Sequence, residues 1–421
     1  LPTLDKIDPV IERSLRTKIR AALGDTPVVM LVGPRQAGKS TLASSAPVEG
    51  PPPTFISFDD PAELAAAQAD PGGFVASLGD RVVLDEAQRA PEIFLPIKAS
   101  VDRDRRPGRF LLTGSANPLF VPVVADALVG RMEVLTLWPF SGVELAGRPD
   151  VAICETLLAE RPQLPETATS REELAARLVQ GGFPEVVQRQ DAERRKAWFD
   201  NYLTTILERD VRAVADISRL EQLPALLTAV ALRSRGPLNK SGLSQDLAVP
   251  ISSLDRYLAL LERVFLVRRL RAWHNRLQPR LVKSPKMLIA DSGLFCHLLR
   301  LDASRLLAEP TALGLALESY VGSELLKAVA VAREKTALMH YRTAKGTEID
   351  FVLEGGDGRV AAVEVKASRS VEAGDLRRFE RLRETLGPRF VRGVVLYSGE
   401  RSLSFGDRLE AWPLSLLWGG S

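Results

Sequence analysis

The sequence predicts an α/β protein whose first third is a parallel sheet and whose last third is a second, separate α/β unit. Three observations carry this. Val28–Val32, Phe55–Phe58, Val82–Leu84 and Phe110–Thr113 are short apolar runs bounded by turn residues or charge, alternating with helical stretches, as strands buried on both faces do. Residues 171 to 235 then read as almost wholly helical, with a break at Gly181–Pro184. Beyond a helix at Thr311–Ala332, strand-like runs recur at 348–353, 360–366 and 391–397, the last two separated by a charged helix, Asp375–Leu386.

A chain of 421 residues has room for several cores. With 45% apolar and 26% charged residues, it has the balance of a globular protein. No run of eighteen apolar residues predicts a membrane span, and the charged segment Leu1–Arg20 has no secretory apolar stretch. Cys154 and Cys296 are distant in sequence and His274, His297 and His340 are scattered. This argues against a disulfide framework or a zinc site and fits a reducing, cytoplasmic compartment. The net charge of +3 is too small to imply nucleic-acid binding by itself.

Gly33-Pro34-Arg35-Gln36-Ala37-Gly38-Lys39-Ser40 matches G-x-x-x-x-G-K-[ST] between a strand and a helix start, the context that a phosphate-binding loop requires. The two glycines permit torsions that aim successive N–H groups at phosphate. Lys39 is expected at the β and γ phosphates of ATP and Ser40 on Mg²⁺, with Thr41 beside it. Arg81-Val82-Val83-Leu84-Asp85-Glu86 is a strand ending in two carboxylates. Asp85 is expected to hold Mg²⁺ through water and Glu86 to orient the attacking water. Thr113, Ser115 and Asn117, at the end of the next strand, are candidates for sensing the γ-phosphate, and Arg131 for an arginine finger.

These strings resemble the AAA+ ATPase superfamily over roughly residues 10 to 145. Gly33-Pro34-Arg35-Gln36, Asp85-Glu86-Ala87-Gln88, Thr113-Gly114-Ser115 and Gly130-Arg131 resemble one prokaryotic branch, which joins an AAA-like ATPase to a C-terminal domain of unassigned function. Gly181-Gly182-Phe183-Pro184 and Asp291-Ser292-Gly293-Leu294 extend the likeness over nearly the whole chain. The resemblance implies ATP binding and hydrolysis, an assembly of several copies, and no particular substrate.

Between Leu220 and Leu299 the pattern suggests a winged helix. Helices are expected at Leu223–Arg233 and Leu238–Leu247. A third carries Ile251, Leu254, Leu258, Leu261 and Phe265 at helical spacing. The segment Val267–Met287 follows with Arg268, Arg269, Arg271, Arg276, Arg280, Lys283 and Lys286, a basic wing suited to a phosphate backbone. Asp255 on the reading face speaks against DNA, and a protein-interaction module of the same shape stays open.

In the last region, Asp350 lies on an alternating strand with Ile349, Phe351 and Leu353 on the opposite face. A hairpin signal, Gly355-Gly356-Asp357-Gly358, leads to a strand in which Glu364 and Lys366 share a face. Glu318 sits on a mostly apolar helical stripe, costly unless it meets a metal or a partner. Glu324 has Lys327 three residues on. Helix Glu, strand Asp, then Glu364-Val365-Lys366 resembles the PD-(D/E)xK nuclease superfamily, with Ile349 in place of the leading proline. The resemblance implies that Glu318, Asp350 and Glu364 hold Mg²⁺ while Lys366 orients water.

The resulting expectation is a P-loop AAA-like parallel-sheet domain (1–145), a linker and helical region (146–219), a winged-helix-like domain (220–300) and a restriction-endonuclease-like α/β domain (301–421). Its function would be ATP-dependent action on nucleic acid, DNA in the first place, by a homo-oligomer without a membrane segment. The rival is a STAND-like, nucleotide-gated switch that binds protein partners and whose C-terminal carboxylates are structural.

Overall fold

The computed structural model describes residues 11–45, 52–115, 128, 130–162, 164, 169–211, 220–274, 284–343 and 346–419. Among these residues the N-terminal domain is a sheet of strands β1 (Val28–Val32), β2 (Thr54–Ser57), β3 (Val82–Asp85), β4 (Phe110–Gly114) and β5 (Met132–Thr136). They run parallel in the order β2-β3-β4-β1-β5. Alternate residues of β1 enter two cores. Val28, Met30 and Val32 pack with Leu84 and Leu112, and Val29 and Leu31 pack with Val83, Leu111 and Leu135. Burial on both faces is why these strands read as unbroken apolar runs. β5 escaped that reading because Glu133 and Thr136 interrupt its apolar residues and it lies half-buried at the sheet edge.

The helical region includes Arg171–Gln180, capped by Ser170 and Glu173 in a capping box, and Ala192–Thr205, which continues as a π turn, Ile206–Asp210. Next come helices Leu223–Leu232, Lys240–Leu247 and Ile251–Arg263 and the antiparallel hairpin β6 (Val267–Leu270) and β7 (Lys286–Ile289). Helix Pro310–Val331 then leads into the C-terminal sheet: β8 (Thr336–Arg342), β9 (Glu348–Gly355), β10 (Val360–Lys366), helix Ala373–Leu386, β11 (Phe390–Tyr397), β12 (Leu403–Ser404) and β13 (Leu409–Pro413). The sheet is mixed, in the order β12-β13-β11-β10-β9-β8. β8, β9 and β10 pair antiparallel, and β11 is parallel to both β10 and β13.

One apolar core runs from the helical region through helix Pro310–Val331 to one face of this sheet. It joins Leu178, Phe183, Leu227, Leu258, Leu288, Leu317, Phe351 and Val394, so packing is continuous across residues 219/220 and 300/301. Gly322 makes the closest approach possible, since a Cβ there would meet Leu288 Cδ2 at 2.5 Å and Phe351 Cζ at 2.8 Å.

The hairpin docks on the C-terminal sheet and covers its edge strand, β8. Trp273 N–H donates to the His340 carbonyl (2.6 Å), and His340 N–H donates to the Arg271 carbonyl (3.1 Å). The Trp273 indole donates to Glu354 (3.2 Å). His340 Nε2 lies 3.1 Å from the Ser284 carbonyl, an acceptor, so this nitrogen carries the proton. Nδ1 is buried with no hydrogen-bond partner among the described residues.

Burial pushes the His340 imidazole down to about 4, and the nearby Lys286 and Arg342 charges act the same way against the Ser284 hydrogen bond. Below the ordinary histidine value the unfolded chain takes up a proton that the folded chain refuses. Stability is therefore expected to fall as pH drops from about 6.5 toward 4. The loss from this residue should be on the order of 1–2 kcal/mol at pH 5. His340→Gln keeps a donor for Ser284 and does not titrate. Denaturant unfolding at pH 7 and pH 5 should show a smaller pH-dependent loss in that variant than in the wild type.

Candidate functional site

At the end of β1 the backbone turns sharply. Gly33 has φ +152°, and a Cβ there would lie 2.0 Å from the Leu137 carbonyl oxygen. Gln36 (φ 59°) and Gly38 (φ 92°) are left-handed, so the loop curls around its own amide groups. Lys39, nearly buried, folds across the loop and donates to the carbonyls of Gly33 (3.1 Å) and Pro34 (2.9 Å). From behind, Arg13 donates to the Ala37 carbonyl at 3.0 Å, to the Trp138 carbonyl, and to Glu144 at 3.2 Å. Arg13 has no motif around it, and nothing local in the sequence marks it.

Parallel pairing places the ends of β3 and β4 beside the loop. Asp85 accepts from Ser40 Oγ (2.7 Å), Thr113 Oγ1 (2.6 Å) and Ser57 Oγ (3.3 Å). Glu86, at φ 54°, gives its N–H to Thr113 Oγ1 (3.0 Å). Its carboxylate accepts from Ser115 Oγ (3.0 Å) and from the Gln88 amide. A left-handed non-glycine held by hydrogen bonds on both sides is backbone strain of the kind that collects at functional sites. Thr113 and Ser115, the candidates for sensing a γ-phosphate, thus hydrogen-bond Asp85 and Glu86. Asn117 lies outside the described residues. The Ser40 hydroxyl and Asp85 carboxylate are adjacent hard oxygen donors, and they fit Mg²⁺.

Arg131 precedes β5, whose Met132 lies opposite Val28 at the start of β1. It is thus at the other end of the sheet from the loop and cannot reach this chain's own phosphate site. It pairs with Asp102 at 2.5 Å, and that hydrogen bond holds the Asp102 carboxyl below its usual range.

The loop opens on a cleft of about 750 Å³. Arg35, Lys39, Ser40 and Glu86 line one side, and Arg189, Trp198, Tyr202 and Arg209 of the helical region line the other. Trp198 and Tyr202 stack at 4.9 Å and 10°, and Arg209 belongs to the π turn. More than 140 residues separate Lys39 from these groups, so no local motif connects this wall to the P-loop.

The C-terminal carboxylates come together where β9 and β10 part beyond the Phe351–Val363 pair. Asp350 accepts from the Val365 N–H (2.9 Å), and its own N–H points to Glu364 (3.4 Å). The expected strict alternation fails there. Ile349 packs with the Phe379 core while Phe351 and Leu353 pack with the helix Pro310–Val331 core, where the β8–β9 register shifts between Met339 and Tyr341. Every group has an internal partner. Glu318 is bound by Lys286 and by Arg235 (3.1 Å), Glu364 by Arg378, Lys366 by Asp375, and Glu348 by Arg342 (3.1 Å). Burial pushes Glu318 up to about 7 against the pull of Lys286, and it pushes Glu364 well above the carboxylate range, with Asp350 adding to the shift. Among the described residues no group of three or more His, Cys, Asp or Glu is arranged to hold a metal. As they stand, these residues do not fit Mg²⁺.

Within the helix–hairpin module Asp255 pairs with Lys240 (2.6 Å) and Arg269 with Glu262 (3.2 Å). Arg268 and Arg271 are exposed. Lys286 is not a surface residue of a basic wing: it is buried against the long helix. Arg276, Arg280 and Lys283 lie outside the described residues. Glu324 and Lys327 do pair (2.7 Å), but both are buried and reach the ATPase side, through Gly142 N–H (2.7 Å) and the Phe140 carbonyl (2.9 Å).

Because Gly33 has no room for a side chain, Gly33→Ala should destabilise the chain by at least about 2 kcal/mol and weaken nucleotide binding. A Gly24→Ala control, with open space around it, should leave both unchanged or stabilise slightly. Thermal unfolding together with fluorescent-nucleotide titration measures both.

An AAA domain family model matches residues 25–146, and two domains of unknown function match residues 171–305 (DUF8612) and 313–417 (DUF4143). Uncharacterized protein Rv2008c of Mycobacterium tuberculosis and uncharacterized protein Mb2031c of Mycobacterium bovis are each 30% identical over 402 residues, 95% of this chain and 83% of theirs. Among solved structures, the RuvB Holliday junction branch migration motor of Thermotoga maritima aligns at 20% identity and a TM-score of 0.29, over 63% of this chain and 91% of that one. A STAND protein with a tetratricopeptide repeat sensor from Pyrococcus horikoshii aligns at 11% identity and a TM-score of 0.20, over 76% and 49%. These two scores are too low to bear on function. The AAA domain match shows an AAA-type nucleotide-binding ATPase, and 30% identity over 95% of the chain shows that it belongs to the family of these two mycobacterial proteins.

Proposed function

We propose that the protein binds ATP with Mg²⁺ in the P-loop cleft and hydrolyses it to act on nucleic acid. The observation that supports this best is the hydrogen-bonded set Ser40–Asp85–Thr113–Glu86 at the mouth of the loop. When nucleotide enters, the amides of residues 33–41 surround the phosphates. Lys39 exchanges its two carbonyl partners for the β and γ phosphates. Ser40 and Asp85 would hold Mg²⁺, which would supply neutralisation of phosphate charge, and Glu86 would align water. The wall formed by Arg189, Trp198, Tyr202 and Arg209 makes the helical region part of the site, so occupancy bears on how that region sits.

The nucleic-acid part rests on exposed Arg268 and Arg271 in the helix–hairpin module, read as a winged helix with DNA as its first partner. Arg131, unable to serve its own site, acts as a finger in a neighbouring copy's site, so the working form is a homo-oligomer. Two buried, unbridged thiols, Cys154 and Cys296, suit a cytoplasmic setting. No described helix is long and apolar enough to cross a membrane.

Two readings of the C-terminal domain compete. A nuclease is favoured by the element order (long helix, three antiparallel strands, helix, parallel strand) and by the gathering of Glu318, Asp350, Glu364 and Lys366. A nucleotide-gated switch with a structural C-terminal domain is favoured by the internal partner that each of these groups has. Assay of the full chain on single- and double-stranded DNA and RNA, with Mg²⁺ or Mn²⁺ and with or without ATP, separates them. Nicking lost in Asp350→Ala and Lys366→Ala supports the nuclease. Uncut but retarded nucleic acid supports binding alone, and neither effect supports the switch.

Lys39→Ala should weaken ATP binding about 100-fold, since a charged contact to phosphate is lost. Glu86→Gln should bind ATP normally and turn over at least about 100-fold more slowly. Wild-type affinity in Lys39→Ala would overturn the site. Turnover per subunit should rise with protein concentration and fall in Arg131→Ala, and a flat profile across the monomer–oligomer transition would exclude the finger.

A further inference from the structure

We propose that Lys286 is the resident cation of the C-terminal carboxylate cluster. Its ammonium takes the place a divalent metal would occupy between Glu318 and Asp350, and it pins the β6–β7 hairpin to helix Pro310–Val331. Lys286 is 1% exposed. Its Nζ donates to Glu318, lies 4.0 Å from Asp350 Oδ1, and sits 4.9 Å from the centre of the Phe351 ring. A lone buried ammonium is costly, and so is a buried carboxylate cluster without a cation. Each removes the cost of the other.

The charges around the cluster close without a metal. Glu318, Asp350, Glu364 and Glu348 face Lys286, Arg235, Arg378 and Arg342, four carboxyl groups to four cations, and burial pushes Glu318, Glu348 and Glu364 further toward the neutral form. A divalent ion would add positive charge to a set whose cations already match its carboxyl groups in number. Nor can Lys286 step aside alone. Its backbone lies in β7, bridged to Pro237, next to Leu288, whose side chain fills the hollow over Gly322. Displacing it requires the hairpin to leave the long helix and uncover β8. The closed cluster is therefore a latch between the helix–hairpin module and the C-terminal sheet, and it excludes divalent metal while it is shut.

The test uses the full chain without nucleotide, which removes the phosphates that would complete a metal site at the P-loop, and it reads only a site that depends on Asp350. Calorimetric titration of wild type with Mn²⁺ should show no site that Asp350→Asn abolishes. A site present in wild type and lost in Asp350→Asn would overturn the proposal. Lys286→Met should lower Tm by about 5–10 °C, because Glu318 is left buried beside only the exposed Arg235. Lys286→Met combined with Glu318→Gln should recover at least about half of that loss. Additive losses would mean that the pair is not a unit and would also overturn the proposal. If Lys286→Met alone does not fold, recovery of folded protein in the double variant is the expected outcome, and the wild-type titration still decides about the metal.

Discussion

Helix Pro310–Val331 is buried along most of its length yet carries Glu318, Glu324 and Lys327. A charge in such a place is tolerated only where another group meets it, and for this helix those groups come from distant parts of the chain. Lys286 and Arg235 reach Glu318 from the helix–hairpin module. Gly142 N–H reaches the free oxygen of Glu324, and Lys327 bridges from Glu324 to the Phe140 carbonyl. The apolar faces supply the bulk of the burial, but the ionic groups dictate which segments lie against which faces. A partner removed from such a pair costs about 3–5 kcal/mol, a large share of the stability of any domain.

The same framework supports the phosphate loop. Ser141 and Glu144 form a capping box around residues 141–144. Glu144 also accepts from Ser14 N–H (2.8 Å) and from Arg13. Arg13 in turn holds the Ala37 carbonyl, within the loop, and lies 4.4 Å from the Phe140 ring. A continuous set of hydrogen bonds thus leads from the P-loop through Arg13 and Glu144 to the segment 140–142, and from there to the long helix. This is physical contiguity, the condition for coupling between two sites. It gives nucleotide occupancy a material connection to the C-terminal domain.

The two carboxylate clusters show how differently acidic groups are kept in one chain. The carboxylates of Asp85 and Glu86 are held by hydroxyls and an amide, neutral donors that orient a charge without cancelling it. Such a set leaves the negative charge available to a cation. Glu318, Glu364 and Glu348 are held by lysine and arginine and pushed toward the neutral form by burial, so little charge is left for a further cation. Both look alike as motifs, a strand ending in acid or an acid two residues from a lysine. Only the donors around them separate the two.

The sequence by itself determined what is local. The phosphate loop was legible because its glycines, lysine and serine are contiguous, and one strand–turn–helix geometry requires that spacing. Asp85 and Glu86 were legible because parallel strands deliver their ends to one edge. The strands β5 and β8 were not, since exposed or half-buried edge positions such as Glu133 and Thr336 break the apolar pattern. The tertiary structure alone decided the partners: Arg13 for the loop, the Trp198–Arg209 wall for the cleft, Gly142 for Glu324, and Lys286 for Glu318. A local conformation depends on neighbouring residues and leaves a spacing behind. A buried charge depends only on finding a counter-charge in space, and any segment that the fold brings close enough can supply it.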